Sequence, residues 1–181
     1  MTSEAQSVPV KNGLVPTGPG WFVVNARDSH WNDRGPRGVV CPFEGRGEAE
    51  FPELGFNLFV LGPGEPMSMY HWEADQEDFL VLAGEALLLV EGEERPLRAW
   101  DFVHCPAHAD HTIVGAGDGR AVILAVGARV DSTGENWGGY PVHDVAVKHD
   151  ASAERETTSA EEAYARFPAR IPARYEEGWL P

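Results

Sequence analysis

The sequence is poor in basic residues. Its 181 residues contain 14 lysines and arginines against 29 aspartates and glutamates, for a formal net charge of -15 at pH 7. Binding to phosphate backbones and to anionic membrane surfaces depends on a cationic face. We therefore expect neither nucleic acid nor a membrane among the partners, whereas a small-molecule ligand is compatible with this composition.

Cysteine and long apolar runs are scarce as well. Cys41 and Cys105 are the only cysteines, too few for a disulfide framework, so both are expected to be reduced thiols. No segment approaches the roughly 18 apolar residues of a membrane span. The first six residues, MTSEAQ, lack the basic and then apolar order of a signal peptide. These absences predict a cytoplasmic protein.

The chain divides into three parts by composition. Residues 1–20 are rich in Pro, Gly, Ser and Thr and predict a flexible, poorly ordered arm. Residues 21–130 carry the apolar pattern of a barrel. Residues 131–181 predict a Gly-rich loop, a short helix near residues 159–166 and an extended, proline-containing tail that packs Trp179 on the barrel.

Short apolar segments dominate the middle of the chain, with glycine, proline or acidic turns between them and no helical period. This pattern is typical of an all-β barrel or sandwich. The predicted strands are 56–61, 68–72, 79–82, 86–91, 96–104, 111–114 and 121–126.

Two histidines and two glutamates occur at metal-ligand spacing: His71, Glu73, Glu77 and His111. Alternate residues of a strand share a face, so His71 and Glu73 are expected to point together. The glutamates could instead be solvated members of an acidic surface run. However, Glu77 directly precedes the apolar run 79–82, where an unpaired charge is costly to bury. The four side chains are therefore predicted to converge on one cation.

This spacing resembles the cupin family of single-domain, type 2 proteins. Its first motif reads G-x5-H-x-H-x3,4-E-x6-G and its second reads G-x5-P-x-G-x2-H-x3-N. Here Gly64 lies one residue too far from His71, Trp100 and His108 replace glycines, and Gly115 replaces asparagine. The resemblance covers residues 55–127 and implies a double-stranded β-helix, or jelly-roll, barrel.

The resemblance also implies the ligand set. His71, Glu77 and His111 take the places of three of the family's four ligands, and Glu73 takes the place of its second histidine. Such a set suits one divalent transition metal, with Fe, Mn, Zn and Ni all open. His71, Glu73 and His111 also match the facial triad of non-heme iron oxygenases. A 2-oxoglutarate oxygenase would use an arginine such as Arg120, which fits a hairpin turn better.

Strand parity predicts which side chains surround the ion. Met69, Phe79, Val81 and Ile113 would share the inner face with the ligands and give a mostly apolar pocket. The alternative is a barrel interior filled by its own side chains. His104 and Cys105 lie on opposite faces of one strand, so at most one of them reaches the interior, and the sequence leaves open which one.

Two functional classes fit these features. One is a metal-dependent enzyme, an oxidoreductase or isomerase, acting on a small oxygen-bearing molecule as an oxygenase, isomerase or decarboxylase. The other is a non-catalytic cupin that binds or senses a ligand around a structural metal. The run 86–90, ALLLV, is apolar on both faces. Together with the resemblance to cupins, this predicts a homodimer, unless the two terminal segments cover the barrel.

Overall fold

The computed structural model describes residues 3–131 and 137–181, and β-strands dominate it. Residues 132–136 of the predicted Gly-rich loop and the first two residues of the predicted arm lie outside this description. The strands are β1 Gln6–Val10, β2 Gly13–Thr17, β3 Trp31–Asp33, β4 Val39–Pro42, β5 Leu54–Leu61, β6 Trp72–Glu73, β7 Glu77–Ala83, β8 Glu85–Val90, β9 Glu93–Arg98, β10 Phe102–Cys105, β11 His111–Ala116, β12 Ala121–Ala128, β13 Gly138–Gly139 and β14 Ile171–Ala173.

Two antiparallel sheets form the barrel. The larger has the strand order β10-β7-β12-β5-β4-β3-β14 and the smaller the order β11-β8-β9. Side chains alternate along β7, where Phe79 is buried while Leu80 is only partly so. Phe79 packs with Leu88, Ile113 and Ile123 in a core to which both sheets contribute. This is the predicted all-β double-stranded β-helix, with a short helix near the C-terminus.

The N-terminal segment differs from the prediction. Where the composition predicts a poorly ordered arm, β1 and β2 form an antiparallel hairpin in the register Gln6↔Thr17 to Val10↔Gly13. Leu14 N–H also donates to the carbonyl of Asp28. Prolines at positions 9 and 16 are tolerated because a two-stranded ribbon leaves outward-facing N–H positions unpaired.

Two predicted strands are also revised. Of 68–72 only Trp72 joins a strand, and His71 makes an isolated bridge to His111. The segment 96–104 divides into β9 and β10 at a turn where Trp100 has φ 76°. His108 has φ 67°. Both residues stand at glycine places of the motif, so the backbone keeps the left-handed turns although the glycines are missing.

The C-terminal segment covers the outside of the barrel. Helix α1, Asp144–Lys148, packs Val145 and Ala146 against Leu89 of β8. Helix α2, Ala160–Ala163, is capped by Ser159, whose side chain accepts from Glu162 N–H. Trp179 packs edge-on against Trp31 with ring centroids 5.1 Å apart. In the described part of the chain, neither helix has the length and apolarity needed to span a bilayer.

Candidate metal centre

Backbone contacts orient both histidine rings. The main chains of His71 and His111 exchange hydrogen bonds of 3.1 and 2.7 Å, which brings the ring centroids to 4.8 Å. Nδ1 of His71 lies 2.9 Å from the Met69 carbonyl, and Nδ1 of His111 lies 2.9 Å from the Ala109 carbonyl. A carbonyl only accepts, so each Nδ1 carries the proton. This leaves each Nε2 to face the site, as in histidines that bind metals.

Glu77 lies between the two Nε2 atoms. Its Oε2 is 3.2 Å from Nε2 of His71 and 3.0 Å from Nε2 of His111. One ligand atom from each of these three residues lies within 4.8 Å of the other two. Among the described residues, His71, Glu77 and His111 therefore form a group that could hold a metal ion, and the group is largely buried.

Glu73 lies beside this group. Its Oε1 is 3.5 Å from Nε2 of His71, and its side chain is more exposed than that of Glu77. Glu77 is thus the carboxylate that lies closest to the two histidines, whereas the facial triad that the sequence matches contains Glu73. Binding of a metal by Glu73 stays a prediction.

Charges within the group shift one another's pKa values. Burial lowers the pKa of His71, but Glu73 and Glu77 outweigh burial and raise it to about 10. Burial likewise lowers the pKa of His111, and Cys105 and Glu77 raise it to about 9 overall. Burial raises the pKa of Glu77, yet hydrogen bonds from His111 and His71 hold it well below its usual range. Without a metal, the two imidazoles therefore hold the carboxylate through their protons.

A cavity of about 400 Å³ opens onto the group, large enough for a small molecule. Of the four predicted lining residues, Phe79 lies on its wall, but Met69, Val81 and Ile113 do not. Met69 packs away from it, against Tyr140 and Ala163. Strand parity fails for Met69 because residues 62–71 are not a regular strand, and Met67 and Ser68 reach the wall instead. Val81 and Ile113 lie in regular strands and are fully buried, and Ile113 packs in the apolar core with Phe79 instead of lining the cavity.

Several polar wall residues were not found from sequence. The ring of Tyr140 lies tilted beside that of His71, with centroids 6.0 Å apart, and meets that of Tyr164 edge-on at 5.7 Å. Arg34, Arg37 and Arg129 also line the cavity. They lie far from the motif along the chain, and only the pairing of β4 with β5 and of β12 with β7 brings them to it. No local pattern in the sequence marks them.

Cys105, His104 and His108 have distinct positions. Cys105 is buried in the barrel core and close enough to His111 to raise its pKa. His104 is exposed, with Nδ1 2.7 Å from the Asp78 carboxylate. The ring of His108 lies tilted against that of Trp72, with centroids 5.2 Å apart, and the backbone N–H of His108 donates to the Glu73 carbonyl. Of His104 and Cys105, it is therefore Cys105 that faces the barrel interior.

The donor set fits a divalent transition metal. Two neutral imidazole nitrogens and one carboxylate oxygen are ligands that Fe, Mn, Zn and Ni accept. Both imidazoles have the outer hydrogen bond from Nδ1 that fixes the tautomer of a ligating histidine.

Comparisons with known proteins agree with this reading of the motifs. Residues 57–127 match the family model described as "Cupin domain". No curated protein matches the chain. A solved structure from Acidithiobacillus ferrooxidans, provisionally named a sugar phosphate isomerase, is 30% identical over 53% of this chain and 63% of its own, with a TM-score of 0.46.

Two further structures are similar. A sugar phosphate isomerase of the cupin superfamily from Silicibacter pomeroyi is 27% identical over 59% of this chain and 63% of its own, with a TM-score of 0.45. A Cupin 2 conserved barrel domain protein from Salinispora arenicola is 24% identical over 50% of this chain and 75% of its own, with a TM-score of 0.45. The chain thus spans less than two thirds of the first two. The segment that matches the cupin domain model, residues 57–127, contains His71, Glu77 and His111.

Proposed function

We propose that the chain is a metal-dependent enzyme that acts on a small oxygen-bearing molecule. The observation that carries this proposal is the three-residue group of His71, Glu77 and His111, of which His71 and Glu77 line an open cavity. Three protein ligands leave coordination positions free for a substrate, as in catalytic rather than closed structural sites. A divalent ion held there would supply Lewis acidity to a bound oxygen.

The residues around the ion have separate tasks in this proposal. His71 and His111 are held by backbone carbonyls, and Glu77 offsets part of the ion's charge. Glu73 lines the cavity beside them, where its carboxylate can take a proton from the substrate and return it. Phe79 and Tyr140 form part of the wall beside these groups. Proton transfer at a carbon next to a carbonyl, the chemistry of an isomerase, uses all of these groups.

A specific observation favours the second candidate function, a non-catalytic cupin with a structural metal. Glu73 Oε1 lies only 3.5 Å from Nε2 of His71. If Glu73 joined the other three ligands, a saturated four-ligand set would hold the ion, as in structural sites.

Water exchange at the ion tests the proposal. Purified protein is loaded with Mn(II), freed of excess metal, and examined by elemental analysis and by water-proton relaxation. The expected result is one Mn(II) per chain with at least one rapidly exchanging inner-sphere water, and Glu77→Gln should lose the metal. One bound Mn(II) without exchangeable water would favour the structural role. Failure of the parent protein to bind Mn(II), Fe(II), Zn(II) or Ni(II) would reject both candidates.

A further inference from the structure

Two arginines on the cavity wall have no carboxylate within ion-pair distance in the described part of the chain. Arg34 and Arg37 line the same cavity as His71 and Glu77. Neither takes part in an ion pair among residues 3–131 and 137–181. Arg129, also on the wall, is instead paired with Glu44 through two hydrogen bonds of 2.7 and 2.9 Å.

Arg34 is a buried cation. It is only 6% exposed, and its guanidinium lies 4.7 Å from the centre of the Phe59 ring. Nη1 donates to the Met67 carbonyl at 2.6 Å, and Nη2 donates to the Arg37 carbonyl. Nε has no hydrogen-bond partner among the described residues. Two carbonyls satisfy some donors but supply no opposite charge, and a buried charge without one is expensive.

Aromatic rings hold Arg37 in place. Its guanidinium lies 4.4 Å from the ring centre of Tyr164 and 5.1 Å from that of Phe167. Its Nε likewise lacks a partner in the described structure. Stacking on rings orients the planar group at little further entropic cost, the arrangement that suits arginine for recognising carboxylate and phosphate.

The charges of the cavity do not balance without a further anion. Glu73 and Glu77 together offset one divalent cation by simple counting, and Glu44 offsets Arg129. Arg34 and Arg37 have no ion-pair partner among the described residues: Glu65 attracts Arg34 and Arg170 repels it, both from beyond ion-pair distance. This holds although the protein as a whole has a net charge of -15. An acidic protein that places two unpaired guanidinium groups at one cavity favours an anionic occupant there.

We infer that the cavity binds a small organic oxyanion, a carboxylate or phosphate ester, with its anionic group at Arg34 and Arg37 and a second oxygen directed to the metal-ligand group. The metal end of this inference rests on the proposed function, and the arginine end does not. Tyr164, which stacks on Arg37 and lies next to Tyr140, links the two ends of the cavity.

Calorimetric binding of three matched probes tests the inference. The probes are glycerate, glycerol 3-phosphate and uncharged glycerol, each titrated into metal-free and Mn(II)-loaded protein. Glycerate or glycerol 3-phosphate should bind at least tenfold more tightly than glycerol, and the tighter of the two identifies the anion class. Equal affinity for glycerol, or no binding of either anion, would overturn the inference.

Variants assign the binding to the arginines. Arg37→Gln should weaken anion binding about tenfold or more, the loss expected for a charge-assisted hydrogen bond. Arg120→Gln, which removes one charge at an exposed residue outside the cavity wall, is the matched control. Arg37→Lys keeps the charge and should give a smaller loss, so it replaces Arg37→Gln if that variant does not fold. An effect no larger than that of Arg120→Gln would overturn the inference.

The same data separate this inference from the proposed function. Anion binding that depends on Arg37 in metal-free protein, with no metal uptake, supports the inference and rejects the metal-dependent enzyme. Metal uptake together with anion binding that does not depend on Arg37 rejects the inference and leaves the metal-dependent enzyme supported.

Discussion

The side chains of the metal-ligand group are fixed by different kinds of contact. Each imidazole is fixed by a carbonyl two residues earlier, at 2.9 Å in both cases. Glu77 is held by the two imidazoles themselves, and Glu73 is the more exposed of the two carboxylates. The histidines are therefore preorganised by the backbone, whereas the carboxylates depend on what the histidines bind.

Substitution of the two glutamates should separate a ligand from a neighbour. Glu77→Gln removes the anionic oxygen between both Nε2 atoms and should reduce metal content well below one ion per chain. Glu73→Gln should keep the metal, with affinity lowered no more than about tenfold, and should lose turnover. Elemental analysis after dialysis against a weak chelator measures the metal content of both variants. Equal loss of metal from the two variants would instead establish the four-ligand set of His71, Glu73, Glu77 and His111.

The metal-free protein should lose stability at alkaline pH. The pKa values of His71 and His111 rise from 6.5 to about 10 and about 9 on folding. Their contribution is complete below pH 6.5 and is lost as the pH rises through these values. The pKa of Glu77 is lowered from 4.5, so its contribution is present above that value and is lost at more acidic pH. Urea midpoints should therefore fall from pH 6.5 to pH 10.

Two variants control that measurement. Glu77→Gln should flatten the alkaline decline, because it removes the charge shared by both histidines. His104→Gln, at an exposed histidine outside the cavity wall, should leave the decline unchanged. A parent protein whose midpoint does not change between pH 6.5 and pH 10 would contradict the prediction.

At the scale of elements, strand patterns could be read from the sequence but irregular segments could not. Runs of apolar residues in the sequence correspond to β5, β7, β8, β11 and β12. Because β7 and β11 are regular strands, the sequence spacing of His71, Glu77 and His111 correctly predicts that these residues come together. The segment before His71 is irregular, so parity assigned Met69 to the wrong surroundings. The N-terminal hairpin depends on pairing that proline-rich composition does not reveal.

The C-terminal tail should contribute strongly to stability. β14 pairs with β3, and Trp179 is 6% exposed against a fully buried Trp31. Trp179→Ala should lower the free energy of unfolding by about 3–5 kcal/mol, the usual cost of removing a buried aromatic side chain. Trp21→Ala, at a tryptophan that is 53% exposed, should cost much less. Equal losses in urea titrations of the two variants would contradict the assigned packing.

At the scale of the whole molecule, the C-terminal segment covers part of the barrel that suggested a dimer. Leu89 of the apolar run in β8 lies under α1. A different apolar surface stays open at the edge strand β10, where Trp100 is 74% and Phe102 is 66% exposed. Homodimerisation therefore stays a prediction, with this edge as the surface that would be used.

Light scattering tests the dimer. The parent at micromolar concentration should have twice the 19.8 kDa mass of the chain, and Phe102→Glu should shift it to the monomer by placing a charge in the interface. Val23→Glu, at another exposed apolar residue, should leave the mass unchanged. A parent of monomer mass alone would rule the dimer out.

The opposite charges of the protein surface and of the cavity have a kinetic consequence. A surface of net charge -15 attracts a divalent cation over a distance of about 10 Å in 0.1 M salt, so metal capture is fast in dilute buffer and slows as salt is added. An organic anion meets repulsion on the same approach before it reaches Arg34 and Arg37. Its association rate therefore rises with added salt, whereas the association rate of the metal ion falls.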